Sequence, residues 1–123
     1  MEELVCWNVI GEILEMGKFI AAVGSAGSSA NIVGKLKVGR DGPETVIEKE
    51  LCHCHIHVCA DRVKTFFFTY RDIGLGPEAC CEALGAEGEV IFRLYYIGKN
   101  AGERYQDFIS RNRDKVDAVT GSW

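Results

Sequence analysis

A series of short β-prone segments lies between two helical stretches, and this order of elements most narrows the folds open to the chain. Apolar residues recur at helical spacing over residues 2 to about 16 and again near residues 102 to 113. Between them the pattern changes to alternation: from Ala30 to Val38, apolar side chains share one side, and Lys35 and Lys37 lie on the other. A helix followed by adjacent strands and then a second helix is typical of α+β folds, and not of alternating βαβ units. We therefore expect a large antiparallel β-sheet flanked by an N-terminal and a C-terminal helix.

Glycine-containing turns separate most of the predicted strands. These strands cover Phe19 to Val23, Ala30 to Val38, Glu44 to Val58, Arg62 to Tyr70, Ala79 to Leu84 and Glu89 to Ile97. The turn at residues 85–88 predicts a hairpin between the last two strands. Gly17 is expected to end the first helix, and Tyr105, Phe108 and Ile109 form the apolar stripe of the second.

The length and composition are those of one globular domain, which we expect to cover residues 1–123. A chain of this size with 47% apolar residues can build a core without cross-links. The formal net charge of -4 has the wrong sign for a protein that holds nucleic acid or anionic lipid by bulk electrostatics. We therefore predict neither nucleic-acid binding nor membrane insertion.

The chain is expected to be cytoplasmic. Glu2 and Glu3 stand where a secretory peptide would carry positive charge, and no apolar run approaches the length of a membrane span. In a reducing compartment the six cysteines are expected to be thiols or metal ligands, not disulfides.

A cluster of histidines and cysteines is the feature that points to chemistry. All three histidines fall in the segment Cys52-His53-Cys54-His55-Ile56-His57-Val58-Cys59. On a regular strand the odd positions share one face, with neighbours about 7 Å apart. Those positions are His53, His55, His57 and Cys59. Imidazole ligates zinc, copper, nickel and haem iron, so the row predicts a metal site or an axial ligand to haem. The alternative is that the histidines lie on a solvated face while the cysteines pack as small apolar residues.

Other chemistries are not indicated. A structural zinc site usually needs a second distant ligand pair, and the vicinal Cys80-Cys81 is poorly suited to supply it. The sequence contains no Gly-x-Ser-x-Gly nucleophile motif and no Gly-x-Gly-x-x-Gly after a strand. Neither hydrolysis by a nucleophile nor dinucleotide binding is therefore predicted.

Several short motifs follow one another along the chain. They are Trp7, Met16-Gly17-Lys18, the strands Phe19 to Val23 and Ala30 to Val38, His57, Arg62-Val63, Phe66 to Phe68, Tyr70-Arg71, the run from Gly88 to Tyr96 and Gly98-Lys99-Asn100. Their order resembles the ChuX/HutX family of bacterial cytoplasmic haem-utilisation proteins, and the resemblance covers roughly Trp7 to Arg111.

This resemblance implies that the chain has the family fold, forms a homodimer and binds haem through an axial histidine as a carrier or storage protein. By position His57 matches the family histidine, and His53 or His55 is a candidate second ligand. Arg71 matches a family arginine, and Arg71 and Arg93 are candidates to hold the haem propionates, as are Lys35 and Lys37. Haem degradation would need an electron donor and an open iron position, and the sequence identifies neither, so enzyme activity is left open.

Two other functions compete with haem carriage. One is a transition-metal site for zinc, copper or nickel, built from His53, His55, His57 and Cys59, with Cys54 as an alternative thiolate. The other is a dimeric module that has lost the haem site, because Ile56 stands where the family has a glycine before its histidine.

Overall fold

The fold is a single antiparallel sheet with both helices on one of its faces. A computed structural model describes residues 2–25, 27–41, 44–72, 77–98 and 101–112. Its elements are α1 (Glu2–Leu14), β1 (Lys18–Ser25), β2 (Ser28–Asp41), β3 (Glu44–Lys49), β4 (His55–Val58), one turn of 3-10 helix (Ala60–Arg62), β5 (Thr65–Asp72), β6 (Pro77–Leu84), β7 (Val90–Tyr96) and α2 (Ala101–Arg111).

The strand order in this described part is β4-β3-β2-β1-β7-β6-β5, with every neighbouring pair antiparallel. Strands β1 to β4 form one meander and β5 to β7 another, and the pairing of β1 with β7 joins them. The predicted α+β fold is confirmed, as is the predicted hairpin between the last two strands.

The sheet curls around α1. Residues 59–64 connect β4 to β5, which lie at opposite edges. Seven steps of extended chain reach at most about 25 Å, whereas six strand spacings in a flat sheet span about 29 Å. The edges must therefore approach each other, and α1 contacts both β2 and β5. Trp7 of α1 contacts β5 directly, because its ring packs edge-on against Phe66 at a centroid distance of 5.1 Å.

The core fills the space between the helices and one face of the sheet. Every strand except β6 contributes a large apolar side chain to it, and β6 contributes Ala79, Cys81 and Ala83. The predicted stripe of α2, formed by Tyr105, Phe108 and Ile109, is buried there. The predicted stripe of α1 is Cys6, Val9, Ile10, Ile13 and Leu14; the last four are buried, and the side chain of Cys6 lies outside the described residues. Side chains at the alternate strand positions lie on the opposite face, which we call the outer face.

The prediction of one strand from Glu44 to Val58 is wrong, because the chain reverses within it. Leu51 has a left-handed backbone with φ of 61°, which ends β3 and starts the return towards β4. The reversal is held by two backbone hydrogen bonds, from Lys49 N–H to the Cys54 carbonyl (3.1 Å) and from Glu50 N–H to the Lys35 carbonyl (3.0 Å). Alternation continues through the segment, so the pattern alone did not mark this turn.

Candidate functional site

Strand β4 carries two of the three histidines on the outer face. His57 pairs with Val46 of β3 and His55 pairs with Glu48, while Val58 and Ile56 contact the core on the other side. The shared face predicted for His55 and His57 is therefore confirmed. Their rings approach edge to face, with centroids 4.7 Å apart and an interplanar angle of 73°.

His57 lies beside a carboxylate. Its Nδ1 is 3.5 Å from Oε1 of Glu44, a diagonal neighbour on β3, and its side chain is 38% exposed. A carboxylate near Nδ1 favours the tautomer that carries its hydrogen there, which leaves Nε2 as the nitrogen that can bind a metal. The prediction of one long strand missed this contact, since only the hairpin brings Glu44 and His57 together.

His55 is oriented by its own turn. Its Nδ1 lies 2.8 Å from the backbone carbonyl oxygen of His53. A carbonyl oxygen only accepts hydrogen bonds, so Nδ1 carries the hydrogen in this contact and Nε2 is left as the ligating nitrogen.

The predicted row of four residues is not continuous. His53 lies in the turn before β4, just after the reversal at Leu51, so it does not share the strand face of His55 and His57. Cys59 follows β4 with an extended backbone, and its thiol is exposed. Within the described ranges, no three of His, Cys, Asp and Glu lie close enough to hold one ion.

The two candidate arginines lie far from His57 along the sheet. Arg93 is on β7, four strand spacings or about 19 Å from β4, and its Nε donates to Oε2 of Glu82 at 2.7 Å. Arg71 is on β5 at the opposite edge, and its side chain falls outside the described residues. Arg93 therefore lies on a strand away from His57 along the sheet, and its guanidinium is engaged by Glu82.

A lysine lies closer to the histidines. Lys37 on β2 pairs with Glu48 on β3, which in turn pairs with His55 on β4, so the three occupy one row of the outer face. The Nζ of Lys37 is 3.9 Å from Oε2 of Glu48, with the lysine side chain 61% and the glutamate side chain 37% exposed. Such an exposed pair is weak and can rearrange when a ligand arrives. Lys35 lies on the same side of β2, two positions away.

A groove of about 1060 Å³ lies on the helix side of the sheet, between α1 and strands β2 and β3. Trp7, Leu36 and Val38 contribute to its lining together with Arg40, which donates to Thr45 at 3.5 Å. No sequence pattern indicated this groove, because its lining comes from elements far apart in the chain. His57 is not among its lining residues, because the imidazole lies on the outer face.

Comparisons with known proteins identify the fold. No protein-family model matches the chain, and no curated protein matches it significantly. Among solved structures, the haem-binding protein ChuX is 12% identical with a TM-score of 0.67, over 88% of this chain and 69% of ChuX. The haem-binding protein PhuS from Pseudomonas aeruginosa is 14% identical with a TM-score of 0.66, over 86% of this chain and 32% of PhuS. ChuS, a haem oxygenase from E. coli, is 17% identical with a TM-score of 0.65, over 85% of this chain and 34% of ChuS.

At these identities the likeness concerns the fold, and the ChuX-like fold predicted from the sequence is confirmed. The chain spans about a third of the length of PhuS and ChuS. Neither helix in the described part of the chain is long and apolar enough to cross a membrane.

Proposed function

We propose that the protein binds haem through His57 and carries or stores it. The contact between Glu44 and His57 is the observation that carries this proposal, because haem-ligating and metal-ligating imidazoles usually have a hydrogen-bond acceptor at the second ring nitrogen. The likeness in fold to ChuX and PhuS, both named as haem-binding proteins, supports the same ligand.

The donor set on the outer face fits haem. His57 offers Nε2 as an axial ligand, and the contact with Glu44 at Nδ1 orients the ring. Bound haem would supply an iron centre that accepts this nitrogen. Lys37 is the cation of the outer face nearest to the histidines by register, so we assign it to a propionate, where a charge-assisted hydrogen bond would replace its weak contact with Glu48.

His55 is a poor second axial ligand for the same haem. It lies two residues from His57 on the same face of the same strand. Two imidazoles on one side of a porphyrin cannot ligate its opposite faces. A second axial ligand would therefore come from another segment of the chain or from a second copy. We also propose that the protein is a homodimer and is cytoplasmic, as the family resemblance implies.

Haemin titration of the purified chain tests the proposal. We expect a saturable shift of the Soret band at one haem per chain in the wild type. His57→Ala should abolish the shift or weaken affinity by at least about tenfold, because the iron loses its protein ligand. His53→Ala is the matched control, since His53 is exposed in the turn and lies off the strand face.

Two results would contradict the proposal. An unchanged Soret shift and affinity in His57→Ala would remove the axial assignment. A wild-type chain with no specific Soret shift would favour the module that keeps the fold and has lost haem.

A further inference from the structure

The turn between β3 and β4 holds two thiols in contact. Cys52 and Cys54 are both free and exposed, and their sulfur atoms lie 2.8 Å apart. The backbone N–H of Cys54 also donates to Sγ of Cys52 at 3.4 Å. The haem proposal uses neither thiol.

The backbone of this turn sets the approach of the two sulfurs. Leu51, directly before Cys52, has a left-handed φ of 61° and a fully exposed side chain. A non-glycine residue in this conformation carries strain, which persists only where the surrounding structure enforces it. Here the hydrogen bond from Lys49 N–H to the Cys54 carbonyl spans Leu51, and the bond from Glu50 N–H to the Lys35 carbonyl fixes the preceding residue to β2. The conformation that brings the thiols together is thus part of the sheet's own hairpin.

We propose that Cys52 and Cys54 are a redox-active dithiol that is oxidised to a disulfide by exchange with a small-molecule disulfide such as oxidised glutathione. The thiolate of Cys52 attacks one sulfur of the small disulfide, forming a mixed disulfide and releasing one thiolate. The Cys54 thiol then loses its proton to that thiolate, and its sulfur attacks Sγ of Cys52. This second step releases the remaining small thiolate, which takes up the proton that Cys52 lost. Two protein thiols are oxidised by two electrons, and one small disulfide is reduced to two thiols.

The two thiols differ in their surroundings, and this difference decides which sulfur attacks and which resolves the mixed disulfide. Hydrogen bonds from the Cys54 side chain and backbone, with a contribution from the Lys49 charge, lower the pKa of the Cys52 thiol. The interaction with Cys52 raises the pKa of the Cys54 thiol. Cys52 is therefore the attacking sulfur and Cys54 the resolving one. Exposed disulfides are the labile class, so the bond should form and reopen with the redox state of the thiol pool.

The test equilibrates the full-length reduced chain, without haem, in buffers of increasing oxidised-to-reduced glutathione ratio. Free thiols are then blocked by alkylation and mapped by peptide mass spectrometry. We expect a product that has lost two hydrogen atoms and in which Cys52 and Cys54 are both protected, with full recovery of alkylation after excess reduced glutathione.

Serine variants separate this site from the other thiols. Cys52→Ser and Cys54→Ser should each lose the intramolecular product, and Cys54→Ser should accumulate the glutathione adduct on Cys52. Cys59→Ser is the matched control, because Cys59 is also exposed and close in sequence, and it should behave as the wild type. All three sites are exposed, so the fold should tolerate serine. The proposal is overturned if Cys52 and Cys54 remain alkylated in excess oxidised glutathione, or if the product maps to another pair of cysteines. It does not depend on haem binding.

Discussion

The carboxylate of Glu44 gives the first prediction at the scale of single residues. Glu44→Gln should keep the fold, because the side chain is about half exposed, and should weaken haem binding by about tenfold through the loss of the charge beside Nδ1 of His57. Haemin titration measures the affinity. Glu48→Gln is the control, since Glu48 lies on the same strand and face but contacts Lys37. Equal losses in both variants would point to the general charge of the face and not to Glu44.

Tyr105 gives a prediction about pH. Its side chain is buried in the core, and its hydroxyl donates to the Cys80 carbonyl at 2.7 Å. Burial raises the pKa of Tyr105 well above 10.0, because it disfavours the phenolate. Above about pH 10 the unfolded chain loses this proton while the folded chain keeps it. Its contribution to stability is therefore complete below that pH and declines as the pH rises.

Tyr105→Phe should reduce this alkaline decline and lower the free energy of unfolding at neutral pH by about 1 kcal/mol through the lost hydrogen bond. Urea unfolding at about pH 8 and about pH 10.5 measures both effects. Tyr95→Phe, on the half-exposed outer face, should keep the decline seen in the wild type. The same alkaline decline in Tyr105→Phe and in the wild type would assign it to other groups.

Single residues were identified with mixed success from the sequence. The alternation around His57 correctly put it on a face with His55, because side-chain direction follows from strand period alone. Glu44 could not be found in this way, since its contact with His57 depends on where the chain turns. Leucine is not a residue type that indicates a turn, and the left-handed backbone of Leu51 is imposed by the hydrogen bonds around it.

At the scale of elements, the turn at Leu51 predicts a stabilising substitution. Leu51→Gly should raise the free energy of unfolding by about 1 kcal/mol, because glycine adopts a left-handed φ without strain and the exposed leucine side chain loses no burial. Leu51→Ala is the control, since alanine retains the strain. Urea unfolding measures the difference, and equal midpoints for the two variants would contradict the argument.

The other elements could be predicted where the periodicity of apolar residues in the sequence matches their burial in the core. Tyr105, Phe108 and Ile109 form a helical stripe, and all three are buried in α2. Alternation predicts that Val90, Phe92, Leu94 and Tyr96 of β7 share one face; the last three are buried on the core side, whereas Val90 is exposed at the start of the strand. The prediction of one strand from Glu44 to Val58 was wrong because a tight hairpin preserves the alternation of side chains on both sides of its turn.

At the scale of the whole molecule, the homodimer remains a prediction. The outer face carries an apolar row, in which Val33 of β2 pairs with Ile20 of β1 and Ile20 with Tyr95 of β7. Val33 is 47% exposed. Light scattering after size exclusion should give about twice the chain mass of 13.6 kDa. Val33→Asp should shift the protein towards monomer, whereas Ser110→Asp on the exposed side of α2 should not. A monomeric wild type would contradict the prediction.

The seam between β1 and β7 has a consequence for folding kinetics. The two meanders need only contacts between segments close in sequence, whereas the seam pairs Phe19 with Tyr96 near the opposite ends of the chain. Closing so large a loop costs chain entropy before any of its contacts form. Folding should therefore begin with local hairpins, and closure of the seam should be the slow step. Its time constant should be on the order of milliseconds to seconds. Until the seam closes, the apolar faces of both meanders are exposed to other chains and can aggregate. The yield of refolded protein should therefore rise as the protein is diluted.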